Sequence, residues 1–468
     1  MNKLCLTLND FFNLKSAVIY NPAAFKDITK ISIDSRSISK GALFVAIKGE
    51  KFDGHDFVSD VIKAGAGALV INKEKLSSLP EVEIPVITVK NTVLALGELA
   101  SVWRRKLKTK IIGLTGSAGK TTTKEILFAI LSSKFNVNKT KANNNNHIGV
   151  PLTLFSTNNK HDYLVLEMGT NHFGEISYSA EIAKPNYALI TNIGNSHLEF
   201  LKDKRGVYKE KSMLFDVTKN QKGFIFINND DPYLRKSHLN YSRRVTFGFA
   251  SSSLIQGNIV EFTNDGKPIM KINYGKSSST FNVPLYGEQN AKNFLAAAAV
   301  GLKLAFSFDE LRLGLKKIKN IDKRLSVQKI GDSIIINDTY NANPDSMKMS
   351  LQLLGSMKFE KNKVAVLGDM FELGTKSKIL HEELCSEILS NGVNRIYTIG
   401  RMMRHLNKKL KRYNIEAVHF SNREDLNDFL KNHAFLNSVV LVKGSRGMKM
   451  EEFVETIKFN LNSRGQHD

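Results

Sequence analysis

Apolar and polar residues alternate along this chain in short blocks whose lengths fit buried strands and amphipathic helices. In the middle of the chain, continuous apolar runs alternate with stretches of helical periodicity, as in a parallel sheet covered by helices on both faces. The strands predicted there are Ile111–Leu114, Tyr163–Glu167, Ala188–Thr191 and Gly223–Ile227, and the helices are Lys120–Ser133 and Asn290–Ala305. This pattern predicts an α/β unit.

The parts of the chain on either side show a similar alternation. In the N-terminal part, strands are predicted at Ile31–Ile33, Leu43–Ile47 and Ala68–Ile71, and helices at Phe57–Ala64 and Val93–Lys108. In the C-terminal part, four apolar runs are predicted as strands of an open, Rossmann-like sheet: Ile334–Ile336, Val364–Leu367, Ile396–Ile399 and Val439–Val442. We therefore predict three α/β domains, at residues 1–105, 106–318 and 319–468, with hinges near 105–109 and 318–324.

Residues 251–284 show a different pattern, with short strand-like stretches separated by turn residues. Asn264-Asp265-Gly266 and Tyr274-Gly275 are turn signals of the kind found between antiparallel strands. This segment is predicted to be a β-hairpin insertion in the central domain.

Composition narrows the class of protein. The 468 residues are 42 % hydrophobic, which is ordinary for a globular protein, and no apolar run approaches the roughly 18 residues of a spanning helix. The N-terminus lacks a signal-peptide pattern, and the cysteines Cys5 and Cys385 are too far apart in sequence for a metal-binding motif. We expect a cytoplasmic protein that is not embedded in a membrane.

The formal net charge of +22 has three interpretations. A basic protein can bind nucleic acid, and part of the charge can serve a polyphosphate substrate. The simplest interpretation is that the lysines are scattered over solvated surfaces. That interpretation is favoured because no compact basic block with interleaved aromatic residues occurs, and we expect no nucleic-acid partner.

The strongest chemical motif is the glycine-rich loop Gly113-Leu-Thr-Gly-Ser-Ala-Gly-Lys-Thr-Thr122, which lies between a predicted strand and a predicted helix. Such a loop directs backbone N–H groups and a helix N-terminus at a phosphate. Lys120 can then reach the β- and γ-phosphates of ATP, and the Thr121 hydroxyl can hold Mg²⁺. The usual spacing requires glycine at position 114, where this chain has leucine, so the loop belongs to a particular subclass of the P-loop ATPase type.

Other candidates for chemistry follow two neighbouring strands. Glu167 ends one strand, where an acid is well placed for Mg²⁺, although capping a turn is the commoner role. His197 follows the next strand, and a single histidine is more often structural. The helical stretch 206–215 carries Lys209 and Lys211, and periodicity predicts that both face solvent.

These motifs, in this order, resemble the Mur ligases, which build the peptide stem of the bacterial cell wall. The resemblance rests on Thr-Gly-Ser-Ala-Gly-Lys-Thr-Thr, Glu-Met-Gly, the Asn-Ser-His segment and the lysine helix. It implies that Glu167 and His197 bind Mg²⁺ and that Lys211 carries a carbamate made from CO2, which also ligates Mg²⁺. Lys209 is the competing position for the carbamate. Lys120, Lys211, His197 and Glu167 are then the catalytic residues.

The resemblance extends to the nucleotide site. It implies that the loop residues bind the phosphates, that asparagines of the segment 287–293 contact adenine, that an arginine of the linker contacts the nucleotide and that an acid lies near the ribose. The implied ATP-binding residues are Gly116, Ser117, Ala118, Gly119, Lys120, Thr121, Thr122, Asn290, Asn293, Arg324 and Asp338. Thr121, Glu167, His197 and the carbamylated Lys211 are the implied ligands of the metal.

Substrate residues are implied in all three domains. N-terminal motifs around Asp34-Ser35-Arg36 and Asp53-Gly54-His55 are similar to the family's grip on a UDP-sugar, and 140–151 is similar to its Asn-rich loop. The implied substrate-binding residues are Ser35, Arg36, Lys48, Asp53, His55, Asn145, Asn146, Tyr340, Asn341, Asn343, Lys443, Ser445 and Arg446.

Two C-terminal stretches indicate which reaction within the family is expected. Tyr-Asn-Ala-Asn-Pro at 340–344 and Val-Leu-Gly-Asp-Met at 366–370 are similar to the ligase that adds D-alanyl-D-alanine to UDP-N-acetylmuramoyl-tripeptide. The alternative is the ligase that adds the third amino acid, whose Asp-Asn-Pro-Arg motif is not found. The resemblance implies ATP-driven amide formation through an acyl phosphate, with Mg²⁺, the tripeptide and the dipeptide as partners. We expect the enzyme to be a monomer.

Overall fold

The protein is described by a computed structural model. The model describes residues 3–318, 321–357, 362–413, 415–433 and 435–464. Over these residues the chain forms three separate β-sheets of five, nine and six strands, each with its own helices. The predicted α/β fold class is therefore confirmed, including the parallel sheet at the centre of the chain.

The N-terminal sheet is mostly parallel. Its strands are β1 (Val18–Tyr20), β2 (Ile31–Ser32), β3 (Leu43–Val45), β4 (Ala68–Asn72) and β5 (Val86–Val89). They lie in the order β1-β5-β4-β3-β2, with only the β1–β5 pair antiparallel among the described strands. The helices are α1 (Leu8–Phe12), α2 (Val58–Lys63) and α3 (Thr92–Lys106).

Helix α3 joins the N-terminal unit to the central one. Its apolar face packs on the N-terminal sheet, and Trp103 on this helix is completely buried. The indole N–H of Trp103 donates to the carbonyl of Thr157, 3.0 Å away, and Nε of Arg104 donates to the carbonyl of Ala183 at 2.6 Å. A Cβ at Gly97 would lie 2.0 Å from the Tyr178 hydroxyl, so a larger side chain there would force Tyr178 to move, and α3 packs closely on the central unit.

The central sheet carries the candidate chemistry. Its strands are β6 (Lys110–Thr115), β7 (Val137–Lys139), β8 (Tyr163–Glu167), β9 (Tyr187–Ile190), β10 (Phe224–Asn228), β11 (Arg244–Gly248), β12 (Ile255–Phe262), β13 (Pro268–Tyr274) and β14 (Ser277–Asn282). The helices are α4 (Lys120–Leu131), α5 (Gly149–Phe155), α6 (Glu175–Ala183), α7 (Leu198–Leu201), α8 (Lys204–Asn220), α9 (Glu288–Lys303) and α10 (Phe308–Lys316).

Strand order in this sheet explains where a ligand can bind. The order is β14-β13-β12-β11-β10-β9-β6-β8-β7, and the strands from β12 to β7 are parallel. Strand β6 lies between β9 and β8, although the chain runs from β6 to β7, and ligands bind at such switch points beyond the carboxyl ends of the strands. Both faces are covered, by α4 and α9 on one side and by α6 and α8 on the other.

Residues 251–284 continue this sheet rather than forming an isolated hairpin. Strand β12 pairs in parallel with β11 and antiparallel with β13, which pairs in turn with β14. The turns fall at the two predicted positions, so the antiparallel strands are confirmed. The insertion is thus an extension of the central sheet at its edge.

The C-terminal sheet is parallel except at one edge. Its strands are β15 (Ser326–Ile330), β16 (Ser333–Asn337), β17 (Asn362–Gly368), β18 (Arg395–Ile399), β19 (Glu416–Phe420) and β20 (Ser438–Lys443), in the order β15-β16-β20-β17-β18-β19. The helices are α11 (Pro344–Ser356), α12 (Ser377–Glu382), α13 (Leu384–Ser390), α14 (Met403–Leu410), α15 (Arg423–Asn432) and α16 (Glu451–Arg464). In the described parts of the chain, no helix is both long and apolar enough to cross a membrane.

Candidate active site

A cleft of about 450 Å³ lies between the central and C-terminal units, beyond the carboxyl ends of the central parallel strands. Most of the predicted site residues line it. They are Ser117, Ala118, Gly119, Lys120, Thr121, Thr122, Asn145, Asn146, Glu167, His197, Asn290, Asn293, Arg324, Asp338, Tyr340, Asn341, Asn343, Lys443 and Arg446. Residues that are up to 329 positions apart in the sequence thus face one space.

The glycine loop connects β6 to α4 at the floor of the cleft. Gly116 and Gly119 have φ angles of +152° and +78°, a region that side chains disfavour. A Cβ at Gly116 would lie 1.9 Å from Oγ1 of Thr191, so the loop can pack here only without a side chain. Nζ of Lys120 curls back to donate to the Gly116 carbonyl at 2.8 Å. Burial lowers the pKa of Lys120, and the nearby Glu167 opposes that shift.

Glu167 ends β8 with its carboxylate fully engaged. Oγ1 of Thr121 donates to both carboxylate oxygens at 3.1 and 3.0 Å, and Nδ2 of Asn145 donates to Oε1 at 2.9 Å. Nζ of Lys124 lies 3.3 Å from Oε2. Burial acts to raise the pKa of Glu167, but the cations of Lys124 and Lys120 outweigh it, and the pKa lies below its ordinary value.

Lys124 is a site residue that the sequence interpretation missed. Its side chain is 1 % exposed, and Nζ also lies 3.4 Å from Oε1 of Glu125. Glu125 pairs in turn with Lys139, so a chain of alternating charges runs from Glu167 outward. The available signal was position, because Lys124 follows Lys120 by four residues on α4 and therefore shares its face of the helix.

His197 enters the cleft from the loop after β9. Its φ of +53° is unusual for a residue other than glycine. Nδ1 lies 2.5 Å from Oε2 of Glu372, a residue of the C-terminal unit that was also missed. Burial lowers the pKa of His197, the bond to Glu372 opposes this shift, and Lys211 adds to it. The lowered pKa favours the neutral imidazole, which is the form that ligates metals.

Lys211 lies on α8 behind the cleft, and its side chain is completely buried. Within the described residues its Nζ has no hydrogen-bond partner. Burial lowers the pKa of Lys211 well below its usual range, and the Lys120 cation adds to that shift. The prediction from periodicity that this lysine faces solvent is wrong, although it is confirmed for Lys209, which is exposed. Lys211 instead shares the apolar face of α8 with Val207 and Leu214.

The two asparagines that are predicted to contact adenine, Asn290 and Asn293, lie near the start of α9. Nδ2 of Asn293 donates to Oδ1 of Asn290 at 3.0 Å, and Nε2 of Gln289 donates to Oδ1 of Asn293 at 2.9 Å. Both asparagines are buried but line the cleft. A Cβ at Gly119 would lie 2.2 Å from Oδ1 of Asn293, so α9 packs directly on the phosphate loop.

The C-terminal unit contributes the opposite wall. The guanidinium of Arg324 stacks on the Tyr340 ring at 3.8 Å from its centroid. Asp338 forms a buried ion pair with Lys443 and accepts from Oγ of Ser350 at 2.7 Å. Arg446 is held at the edge of the cleft by Glu451, 3.0 Å away.

Two contacts from the start of α11 reach the central unit. Asn343 caps α11 through its Oδ1, and its Nδ2 donates to the carbonyl of Ser117 in the phosphate loop at 3.2 Å. Oδ2 of Asp345 accepts from the backbone N–H of Asn195 at 2.6 Å. Ser445 does not line the cleft, because its hydroxyl accepts from the N–H of Phe371 at 2.8 Å inside the C-terminal unit.

The predicted sugar-binding residues do not reach this cleft. Ser35, Arg36, Lys48, Asp53 and His55 lie in the N-terminal unit, outside the residues that line the cleft. Arg36 pairs with Asp34 at 2.9 Å and is largely exposed. The ring of His55 is engaged locally, with Nδ1 2.5 Å from Oδ1 of Asp53 and Nε2 accepting from the Asn72 N–H at 2.9 Å.

The donor set can be compared with what Mg²⁺ requires. In the described part of the chain, no group of three or more His, Cys, Asp or Glu side chains is arranged to hold a metal ion. The cleft offers Glu167, His197 and the Thr121 hydroxyl, while the buried Nζ of Lys211 has no partner among the described residues. Mg²⁺ prefers oxygen ligands, and a carbamate on Lys211 would add an anionic oxygen. The Glu167 carboxylate, the His197 imidazole and the Thr121 hydroxyl therefore fit a metal ion in the cleft.

Three family models match the chain. They are "Mur ligase family, catalytic domain" at residues 27–104, "Mur ligase middle domain" at residues 114–301 and "Mur ligase, glutamate ligase domain" at residues 323–446. Each match falls on one of the three sheets. The central model includes the phosphate loop from residue 114, Glu167, His197 and Lys211.

Curated relatives match over nearly the whole chain. A UDP-N-acetylmuramoyl-tripeptide--D-alanyl-D-alanine ligase from Bacillus subtilis (strain 168) is 33 % identical over 455 residues, which cover 96 % of this chain and 98 % of the relative. The ligase of the same name from Escherichia coli (strain K12) is 34 % identical, covering 93 % of this chain and 95 % of the relative.

Solved structures also match over nearly the whole chain. A crystal structure of MurF from Acinetobacter baumannii superposes with a TM-score of 0.88 at 29 % identity and covers 98 % of this chain and 100 % of its own. MurF from Thermotoga maritima in complex with ADP gives a TM-score of 0.82 at 28 % identity, covering 93 % and 98 %.

Proposed function

Because the chain belongs to the Mur ligase family, we propose that it joins D-alanyl-D-alanine to UDP-N-acetylmuramoyl-tripeptide at the expense of ATP. The observation that carries this proposal is the single cleft in which the phosphate loop, Glu167 and His197 face residues of the C-terminal unit. The relatives of that name match 96 % and 93 % of this chain. This reaction completes the stem peptide of the peptidoglycan precursor.

The chemistry consists of two substitutions. The terminal carboxylate of the tripeptide attacks the γ-phosphorus of ATP, and the bond to the bridging oxygen breaks to give an acyl phosphate and ADP. The amine of D-alanyl-D-alanine then attacks the acyl carbon, loses a proton, and phosphate leaves. Such transfers require positioning and charge stabilisation above all, because the reacting groups are mostly anionic.

The central unit would bind the nucleotide. Residues 116–122 surround the phosphates with backbone N–H groups and the start of α4. Lys120 would exchange its bond to the Gly116 carbonyl for the γ-phosphate, which costs little because both are hydrogen-bond acceptors. Asn290 and Asn293 would contact adenine. From the opposite wall, Arg324 would contact the phosphates and Asp338 the ribose.

The metal ligands we propose are Thr121 and Glu167 for one Mg²⁺ ion and His197, Glu167 and carbamylated Lys211 for another. Bound Mg²⁺ neutralises negative charge on phosphoryl oxygens. The protein's own task is to hold these donors in place before the metal arrives. Thr121 and Asn145 already orient the Glu167 carboxylate through hydrogen bonds of 2.9–3.1 Å.

The carbamate on Lys211 is supported by burial. Only an unprotonated amine reacts with CO2, and burial holds the pKa of Lys211 far below that of a lysine in water. An ammonium there would lie close to the Lys120 cation and would repel a metal. Lys209, two residues earlier, is exposed and lies on another face of α8.

The remaining assignments complete the proposal. Domain boundaries at 105/106 and 318/319 would allow the three units to close on their substrates. The N-terminal set would hold the UDP-sugar and the Asn-rich loop the peptide: Ser35, Arg36, Lys48, Asp53, His55, Asn145 and Asn146. The C-terminal set would hold the incoming dipeptide: Tyr340, Asn341, Asn343, Lys443, Ser445 and Arg446. We place the enzyme in the cytoplasm as a monomer.

The proposal is tested by the substrate dependence of ADP release. With UDP-N-acetylmuramoyl-tripeptide present, ADP should form with D-alanyl-D-alanine and not with meso-diaminopimelate or L-lysine. Consumption of a single amino acid on the dipeptide precursor, with D-alanyl-D-alanine ignored, would show the ligase for position three instead. ATP turnover that responds to DNA or RNA and not to muramyl peptides would place the protein in another class.

A further inference from the structure

Glu372, which follows β17 in the C-terminal unit, is bonded to the histidine that we propose as a metal ligand. Nδ1 of His197 lies 2.5 Å from Oε2 of Glu372, although the residues are 175 positions apart in the sequence. An ionised carboxylate only accepts hydrogen bonds, so the proton of this bond is on Nδ1. In a neutral imidazole the lone pair is then on Nε2, the nitrogen that can bind a metal.

The backbone holds both residues in uncommon conformations. His197 and Glu372 have φ angles of +53° and +60°, which cost free energy for residues with a side chain. The N–H of Glu199 donates to the carbonyl of Glu372 at 3.1 Å. A Cβ at Gly374 would lie 3.2 Å from Cα of Glu199, so the two loops are in close contact. The contact between the loops therefore compensates for two strained residues.

A second contact ties the same loop of the central unit to the C-terminal unit. The N–H of Asn195, two residues before His197, donates to the carboxylate of Asp345 at 2.6 Å. Among the hydrogen bonds of the described residues, none joins Asp345 to His197. The loop 194–199 is thus held at two places by the C-terminal unit, and within the described residues the imidazole is hydrogen-bonded by Glu372 alone.

We propose that Glu372 is a positioning residue that keeps Nε2 of His197 free to bind the metal, and that it does so only while the C-terminal unit is docked. The His197 ring lines the cleft, so its orientation decides whether the metal gains an imidazole ligand. Carboxylates that bond the second nitrogen of a ligating histidine fix its tautomer in many metal sites. This inference rests on the proposed function, because the proposed metal site includes His197. It adds that the docking of one domain completes that site.

The competing interpretation is that the pair is only a latch between domains. A latch would lose docking when either Glu372 or Asp345 is removed, and metal binding would fall equally in both variants. A positioning residue predicts unequal losses, because only one of the two carboxylates bonds the imidazole. The two residues are therefore a matched pair for an experiment.

The experiment measures Mn²⁺ binding to the full chain with ADP, by electron paramagnetic resonance, without turnover. Glu372→Gln keeps an acceptor but loses the charge, and we expect about tenfold weaker Mn²⁺ binding at the position that His197 would ligate. Glu372→Ala should weaken this binding by up to about 100-fold. Asp345→Ala should change it by less than about threefold. In a His197→Ala background, Glu372→Ala should cause no further loss.

Three results would overturn the inference: binding by Glu372→Ala within about threefold of the parent, an equal loss in Asp345→Ala, or the same loss with His197 absent. Melting temperatures check that each variant folds. If Glu372→Ala does not fold, the Mn²⁺ binding of Glu372→Gln decides the question. Mn²⁺ and ADP binding needs no acceptor substrate, so the result stands apart from the ligase assay. A chain that fails to ligate D-alanyl-D-alanine but shows the unequal losses refutes the proposed substrate alone.

Discussion

The two faces of the central sheet treat a buried lysine in opposite ways. On α4, Lys124 is 1 % exposed and lies between the carboxylates of Glu167 and Glu125, at 3.3 and 3.4 Å. On α8, Lys211 is equally buried, yet its Nζ has no hydrogen-bond partner among the described residues. The charge of Lys124 is thus balanced by acids of the protein itself, whereas Lys211 has no such hydrogen-bonded acid among the described residues.

The difference assigns the two lysines different roles: Lys124 stabilises the site as a cation, and Lys211 is suited to reaction as an amine. A buried ammonium is tolerated where acids surround it, and Lys124 in return keeps Glu167 ionised. Burial without such a partner lowers the pKa of the lysine instead, which favours the neutral amine, and a neutral amine is a nucleophile. The same residue type thus stabilises the carboxylate of Glu167 on one face of the central sheet and becomes a candidate for modification on the other.

The largest expected effect is on ligase activity and comes from removing the Lys211 side chain. Lys211→Ala should lower ligase activity at least about 100-fold, because the proposed carbamate is a metal ligand. Added short carboxylic acids such as formate or acetate should partly restore activity by placing an oxygen donor in the vacated space. Lys209→Ala, on the exposed face of the same helix, is the control and should keep most of its activity. Full activity of Lys211→Ala without added acid would contradict the carbamate.

A smaller effect, on the stability of the fold, is expected from removing the charge of Lys124. Lys124→Met should lower the free energy of unfolding by about 1–3 kcal/mol, because Glu167 loses one of its buried partners. The urea midpoint measures this loss, and Mg²⁺ with ADP should reduce it by supplying the missing positive charge. Lys134→Met is the control, since Lys134 pairs with Glu310 at the surface and should cost less than about 1 kcal/mol. Equal losses in the two variants would mean that Lys124 has no special role.

The pH dependence of stability should report on Lys211. In CO2-free buffer, burial holds the pKa of Lys211 in the folded protein well below 10.5, its ordinary value in the unfolded chain. Between the folded-state pKa and 10.5 the unfolded state holds more protons, so stability relative to Lys211→Met should rise with pH over that interval, by at most about 1.4 kcal/mol per pH unit. Urea titrations at several pH values measure this slope. A difference that does not change with pH would contradict a neutral Lys211.

The smallest effect should come from the outer end of the charge chain on α4. Glu125 is 27 % exposed and pairs with Lys139 as well as Lys124. Glu125→Gln should change stability by less than about 1 kcal/mol, because solvent screens this group. A loss as large as that of Lys124→Met would show that the whole chain of charges, rather than the pair with Glu167, stabilises the site.

The sequence alone predicts the long buried strands well, because a continuous apolar run has few other uses in a folded chain. Strands β8, β17 and β20 lie where the pattern places them. The three-residue strands β1 and β7 could not be predicted, since they are only partly buried and most of their order comes from pairing with a neighbour.

Site residues were predictable where a motif is local. The glycine loop and Glu167 lie together because strand ends meet at one edge of a parallel sheet. Glu372 could not be found in this way, since its contact with His197 depends on how two domains dock. Lys211 shows an intermediate case, because its apolar neighbours Val207 and Leu214 mark it as buried but its charge argues for solvent.

Helix α3 gives the protein an internal optical reporter. Trp103 is the chain's sole tryptophan, and its indole is bonded to Thr157 across the junction of the N-terminal and central units. Its fluorescence therefore responds to separation of that junction. The bond between His197 and Glu372 and the bond of Asp345 to the loop before His197 lie at a different junction, between the central and C-terminal units. That junction contains no tryptophan. Emission during turnover would distinguish movement of the N-terminal unit from closure of the C-terminal one, without any attached dye.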